Sequence, residues 1–150
     1  MPAEPLMASE AELSEDGDDA AFKVAVQAVR DKQFRHAVDL FLPLAESGAS
    51  DAQFNLAYLL HLGLGRPQNY GDAYFWASLS ALGGEERAVD LVDDLQGLLP
   101  DKEREVVVKN LQERLTQQIE NGDDSAPEKL ARLYADFAVK PDMESSFIWF

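Results

Sequence analysis

The chain has 150 residues, 46% of them hydrophobic, 27% charged and 9% aromatic, with a formal charge of -15 and no cysteine. A domain of this length buries roughly two thirds of the surface its unfolded chain would expose, so a core forms without covalent staples. The missing cysteine excludes disulfides, thiolate metal sites and a cysteine nucleophile, and the acidity makes phosphate backbones and anionic headgroups poor partners.

Residues 1–20 hold seven acids (Glu4, Glu10, Glu12, Glu15, Asp16, Asp18, Asp19), no lysine or arginine, and few large apolar side chains. That composition predicts an acidic disordered tail, either a solubilising leader or a docking segment for a basic partner. Taking those seven charges from -15 leaves -8 on the other 130 residues, so the remainder is acidic in its own right. The start has no positive n-region followed by an apolar stretch, and no run of about eighteen apolar residues occurs anywhere, so no helix spans a bilayer. A cytoplasmic location is expected; a removed leader would leave the same text and a periplasmic one.

From Ala20 onward apolar residues recur three and four apart between short Gly, Pro, Asp or Ser corners, with no period-two stretch, which predicts an all-α chain of about eight helices. The first runs from about Ala20 to Asp31 and turns at Lys32 and Gln33; the second runs from Phe34 to Glu46 and closes at Gly48. Ser50 and Asp51 are the expected N-cap of a third helix reaching Leu62. The stretch HLGLGRPQNYGDAYFW follows, from His61 to Trp76, and leads into a fourth helix from about Asn69 to Leu82, ended by Gly83 and Gly84. A fifth is expected over Glu85–Leu99, and Pro100 as a first-turn residue opens a sixth that reaches Asn121. Past Gly122, Asp124 or Ser125 is the expected cap of a seventh helix carrying Leu130, Leu133, Tyr134 and Phe137, and an eighth begins near Asp142.

The helices repeat. Ala37, Ala73 and Ser146 each stand three residues before a large apolar side chain (Leu40, Trp76, Trp149), and they lie 36 and 73 residues apart, one unit and about two. A period near 36 made of two helices is the mark of a helical-hairpin solenoid, in which each hairpin buries its apolar face against its neighbours.

Within this period, Ala52 to Gly83 resembles the Sel-one-like repeat family, a branch of the tetratricopeptide-type solenoids. The family pattern A-x-x-x-L-G-x-x-Y-x-x-G-x-G-V-x-x-D-x-x-x-A-x-x-W-x-x-x-A-A-x-x-G is matched at Ala52, Leu56, Gly63, Gly65, Ala73, Trp76, Ala81 and Gly83. It is departed from at Ala57, Leu60, Arg66, Asn69 and Ser80. A weaker copy begins at Ala126 with Leu130, Ala131, Tyr134, Asp142, Ser146 and Trp149, without the glycine pair, and Ala37, Leu40, Ala45 and Gly48 look like the second half of an earlier one. The resemblance implies a repeat domain over residues 21–150, incomplete in its last unit, acting as a non-catalytic scaffold, adaptor or accessory subunit. Similar proteins are often bacterial and serve signalling or envelope assemblies.

The glycine pair then reads as a helix-to-helix corner, with positive φ at Gly63, close backbone approach at Gly65 and Pro67 leading into the next helix. A phosphate loop would need a preceding strand and the G-x-x-x-x-G-K-[ST] or G-x-G-x-x-G spacing, which the chain lacks. His36 and His61 fall on different helices with no second imidazole three or four residues away, and the acids Asp90, Asp93, Asp94, Asp123 and Asp124 lack EF-hand spacing, so neither metal nor cofactor is expected. Ser78 and Ser80 sit inside a helix without an activating elbow.

Among the aromatics Tyr70, Phe75, Trp76, Tyr134 and Trp149, inter-helix packing is the plain reading, with Trp76 and Trp149 at the repeat's core position. Phe54, Tyr58 and His61 are different, because they stand at i, i+4 and i+7, offset from Ala52, Leu56 and Leu60. They either pack on a neighbouring helix or line a concave partner groove. The equivalent places of the last copy, Glu128, Arg132 and Ala135, favour exposure. The ending SFIWF adds Phe147, Trp149 and Phe150 as a second candidate contact: either the chain has been cut there, or another subunit covers this apolar end. A protein partner with a basic or apolar segment is expected. The competing readings are a small-molecule regulator or enzyme on helices, and a periplasmic envelope scaffold.

Overall fold

The computed structural model describes residues 18–136, and all its regular elements are helices. They are α1 (Asp18–Arg30), α2 (Phe34–Glu46), α3 (Ser50–Leu62), α4 (Tyr70–Leu82), α5 (Glu86–Leu98), α6 (Asp101–Glu120) and α7 (Ala126–Asp136). Each lies within two residues of its expected bounds up to α6. Of the expected tail, residues 18–20 are the first residues of α1, not disordered chain; residues 1–17, the expected eighth helix, Phe137 and the aromatic ending lie outside the described residues.

The chain divides inside α6 into two compact units, Met1–Val107 and Val108–Phe150. In the first, each helix from α1 to α5 packs on the next, and α3 also touches α5. Short connections leave successive helices no choice but to double back on one another. The hairpin α3–α4 is the centre of this unit. In α3 Ala52, Phe54, Leu56, Ala57, Leu59 and Leu60 are buried, and in α4 so are Ala73, Tyr74, Trp76, Ala77, Leu79, Ala81 and Leu82. Helices covered on both sides need apolar or small residues nearly all round, whereas α2 and α5 bury one stripe (Ala37, Val38, Phe41, Leu44 and Ala45 in α2; Ala88, Leu91, Val92 and Leu95 in α5). Trp76 is buried in this core. In the second unit, Val108, Leu111 and Leu115 make the buried row of α6, and Ala126, Leu130 and Leu133 that of α7.

Of the four buried polar residues of the hairpin, Gln53, Asn55, Ser78 and Ser80, two reach backbone carbonyls near helix ends. Gln53 Nε2 donates to the Ala45 carbonyl at 3.0 Å, a second bond to an acceptor at the end of α2 that also takes the Gly48 N–H at 3.1 Å. Ser80 Oγ donates to the Ser50 carbonyl at 2.6 Å. A Cβ on Gly83 would stand 3.1 Å from Ser50 Cβ, so this glycine lets the end of α4 close onto the start of α3.

Three expected caps are realised differently. At α3 the capping position belongs to Ala49, with no side-chain bond, and Ser50 and Asp51 are the first residues of the helix. The Asp51 carboxylate accepts instead from the Ala52 N–H at 2.8 Å. Pro100 is not inside α6 but just ahead of it, its carbonyl accepting the Arg104 N–H at 3.0 Å. Leu99 is held extended (φ -102, ψ 133), where the proline ring forces its predecessor, and this splits α5 from α6. At α7 the work falls to Asp123, whose carboxylate accepts from both the N–H and the hydroxyl of Ser125 at 2.9 and 2.7 Å. Those two bonds hold the exposed Asp123 carboxyl below its ordinary pKa.

Candidate protein-interaction surface

The corner that closes α3–α4 fixes the surface beside it. Gly63 takes the left-handed conformation that ends α3 (φ 71, ψ 29), and Gly65 is left-handed as well (φ 83). Gly65 presses on the start of α2, where a Cβ would lie 2.5 Å from the Phe34 carbonyl oxygen, so no other residue fits. The loop then seals α3's last carbonyls: Asn69 N–H donates to Leu60 at 3.1 Å and Gln68 Nε2 to His61 at 2.9 Å. Asn69, which stands where the repeat pattern has aspartate, caps α4 by accepting the Asp72 N–H at 2.9 Å. Its amide in turn donates to the Asp72 carboxylate at 3.0 Å, a reciprocal arrangement that pins the first turn of α4 and places Tyr70.

Tyr70 continues a row of rings that starts on α3. Phe54 and Tyr58 have centroids 5.9 Å apart, Tyr58 and His61 meet edge-on at 6.5 Å, and His61 lies 5.7 Å from Tyr70. Spacings of four and three residues on one helix produce this ladder, since such positions stand above one another. Its members differ in access. Phe54 is only 3% exposed, whereas Tyr58, His61 and Tyr70 are half-buried. Phe54 is covered from α5, where the Arg87 guanidinium lies 4.9 Å over its ring. Arg87 is itself held in a fork by Glu85, with Nε to Oε2 at 3.0 Å and a terminal nitrogen to Oε1 at 2.6 Å. His61 contributes a buried Nδ1 that makes no hydrogen bond.

The end of the ladder next to Phe54 is electronegative. Asp51 begins the same face, and burial raises its carboxyl pKa; the Glu85 carboxylate raises it further, while the Ala52 N–H and Arg87 pull it back. In α4 Tyr74 is fully buried, and its phenol pKa is pushed up by that burial although Gln96 donates to its oxygen at 3.2 Å.

Of the residues singled out from sequence, Phe54, Tyr58 and His61 thus stand together, and Phe147, Trp149 and Phe150 lie outside the described residues. Tyr70 and Arg87 join the ladder without having been placed there by sequence. Tyr70 is nine residues past His61 and across a corner, and Arg87 comes from another helix, so helical periodicity carries no trace of either. In the last copy, Glu128 and Ala135 are exposed and Arg132 is half-buried. Among the described residues no group of three or more His, Asp or Glu side chains is placed to hold a metal ion, and no helix is long and apolar enough to cross a membrane.

Consecutive helices packed pairwise, with a glycine corner between and a stripe of rings on the first helix of the central pair, define a helical repeat protein. The Sel1 repeat family model matches residues 50–85 and 128–150, so these two stretches are similar to Sel1 repeats, in keeping with an all-helical chain of helix hairpins. The first match spans the α3–α4 hairpin from Ser50 to the Glu85 that precedes α5; the second starts inside α7. No curated protein and no solved structure matches the chain. Sel1 repeats are generally protein–protein interaction modules.

Proposed function

We propose that the protein is a non-catalytic interaction scaffold, an adaptor or accessory subunit of a larger complex, that docks a partner on the ring row of α3 and α4. The observation that carries this reading is the half-exposed run Tyr58, His61 and Tyr70. Rigid aromatic side chains with a polar tip lose little entropy on binding and are the residue types that anchor interfaces. Phe54 acts from beneath, as the base on which Tyr58 and Arg87 rest. Asp51 at that end, beside a Glu85 that is already forked to Arg87, favours a partner segment with an apolar anchor and a cation beside it. The aromatic C-terminal residues Phe147, Trp149 and Phe150 are a second contact for assembly, proposed from sequence.

The test uses the full chain as bait, with Tyr58→Ser and His61→Ser as variants, each checked for unchanged helicity. The partner retained by the parent chain is identified, purified and titrated directly. Either variant is expected to weaken it at least tenfold, the loss typical of a removed anchor. Equal affinity for all three chains would move the contact off this face.

A further inference from the structure

Charge is unevenly spread over this acidic chain, and the corner between α1 and α2 is where it turns positive. Lys32, Arg35 and His36 are exposed there and make no ion pair among the described residues, and together with Gln33, Phe34 and Asp39 they line an open depression of about 510 Å³. Arg66 joins from the α3–α4 corner, 3.5 Å from Asp39. Over residues 30–39 with Arg66, four cations (Arg30, Lys32, Arg35, Arg66) face two acids (Asp31, Asp39) before His36 is counted. Lys32 holds a left-handed backbone (φ 60), the sole non-glycine among the described residues to do so.

We propose that the occupant of this depression is the chain's own N-terminal segment, residues 1–17, laid back along α1. Three observations fit it. The segment carries Glu4, Glu10, Glu12, Glu15 and Asp16 and no base, the complement of the corner. Its length suffices: α1 has 13 residues and is about 20 Å long at 1.5 Å per residue, and an extended chain covers that in about six residues, which brings Glu12 and Glu10 to the depression. The path is also marked, because Lys23, Gln27 and Arg30 form one exposed row on α1, at i, i+4 and i+7, running from the start of the helix to the corner. Exposed ion pairs are individually weak, and tethering is what selects this occupant. A segment linked to its site acts at an effective concentration in the millimolar range, ahead of a free acidic partner. The docked segment neutralises the corner and leaves the ring row of α3 open, so this contact is independent of the docking surface proposed above.

Because the chain has no cysteine, Ala11→Cys gives a single attachment point for a nitroxide in the otherwise intact protein. The expected result is selective loss of amide NMR intensity at residues 32–39 in low salt. Intensity should recover near 1 M salt, where the screening length falls from about 10 Å to about 3 Å. It should recover equally at low salt when Glu10→Gln and Glu12→Gln are added, or when Lys32→Ser and Arg35→Ser are, with the docked-to-free ratio dropping about tenfold in each case. Lys32 and Arg35 are exposed, so the remaining resonances report whether the fold is intact. Undiminished signals at residues 32–39, or broadening that persists at 1 M salt, overturns the proposal. So does broadening of an isotope-labelled chain by a separate nitroxide-bearing copy, which would place the contact between molecules.

Discussion

The α1–α2 corner and the α3–α4 corner both turn the chain through left-handed residues, and only the second is bound to glycine. At the first, Lys32 N–H donates to Val29 and Gln33 N–H to Ala28 at 3.0 and 2.8 Å, closing the end of α1 while the lysine side chain stands in solvent. At the second, Gly63 and Leu64 cap α3 through the Leu59 carbonyl, and Gly65 is pressed onto the backbone of Phe34. A left-handed φ alone costs a non-glycine residue about 1 kcal/mol, which a protein tolerates. A Cβ inside a neighbouring carbonyl is not tolerated, because backbone cannot swing aside as a side chain can. The repeat signature is therefore strict at Gly65, where helices of two successive hairpins meet, and the chain is free to put a lysine where they do not.

Gly65→Ala tests the first half of that contrast and carries the largest expected effect, a loss of about 3 kcal/mol from the clash and the φ together, read from urea unfolding of the full chain. A loss no greater than that of Gly48→Ala, whose Cβ would meet nothing within 4 Å, would mean that space at the corner is not the constraint. Asn69→Ala removes the cap that opens α4 and should cost about 1 kcal/mol, whereas Gln33, which makes no side-chain bond at the start of α2, should be replaceable by alanine at almost no cost. Similar losses at the two positions would show that the Asn69 bonds do not stabilise the helix. Lys32→Gly should go the other way and stabilise the chain by roughly 0.5–1 kcal/mol, since the lysine's only backbone demand is φ. A destabilised Lys32→Gly would show the lysine side chain contributing more than its conformation costs.

The same contrast explains how far the sequence could be read. Helix periodicity and glycine corners placed α1 to α7, since burial on one face and termination by a left-handed residue both leave local marks. The roles of Gly63 and Gly65 followed from the repeat pattern, whose glycines encode contacts between hairpins. Caps were less legible: Ser50, Asp51, Asp123, Asp124 and Ser125 are all capping residue types, and which one acts is settled by a shift of one residue in backbone geometry. The ring stripe was visible on α3 as spacing, but its division into a buried Phe54 and an accessible Tyr58 and His61 was not. The cover on Phe54 is Arg87, 33 residues further along and held by Glu85, and no local pattern links them.

Shape-determined corners should respond to pH hardly at all, and the opposite end of the α3–α4 hairpin should differ, because there Asp51 and Glu85 bring two carboxylates together. Burial and Glu85 raise the folded pKa of Asp51 above the 3.8 of the free side chain, so the folded state holds its proton more tightly than the unfolded chain does. The sign follows from linkage: with the native state binding more protons, stability falls as pH rises from 3.8 through the folded pKa and is level above it. Asp51→Asn keeps an oxygen for the Ala52 N–H and removes the charge, so it should match the parent chain near pH 3. At pH 7 it should exceed the parent by a few tenths of a kcal/mol, small because solvent screens a half-buried carboxylate. Parallel melting curves at both pH values for Asp51→Asn and the parent would show that the pair is not coupled. A gap that opens instead in Gly65→Ala would show that the packed corner, too, depends on charge.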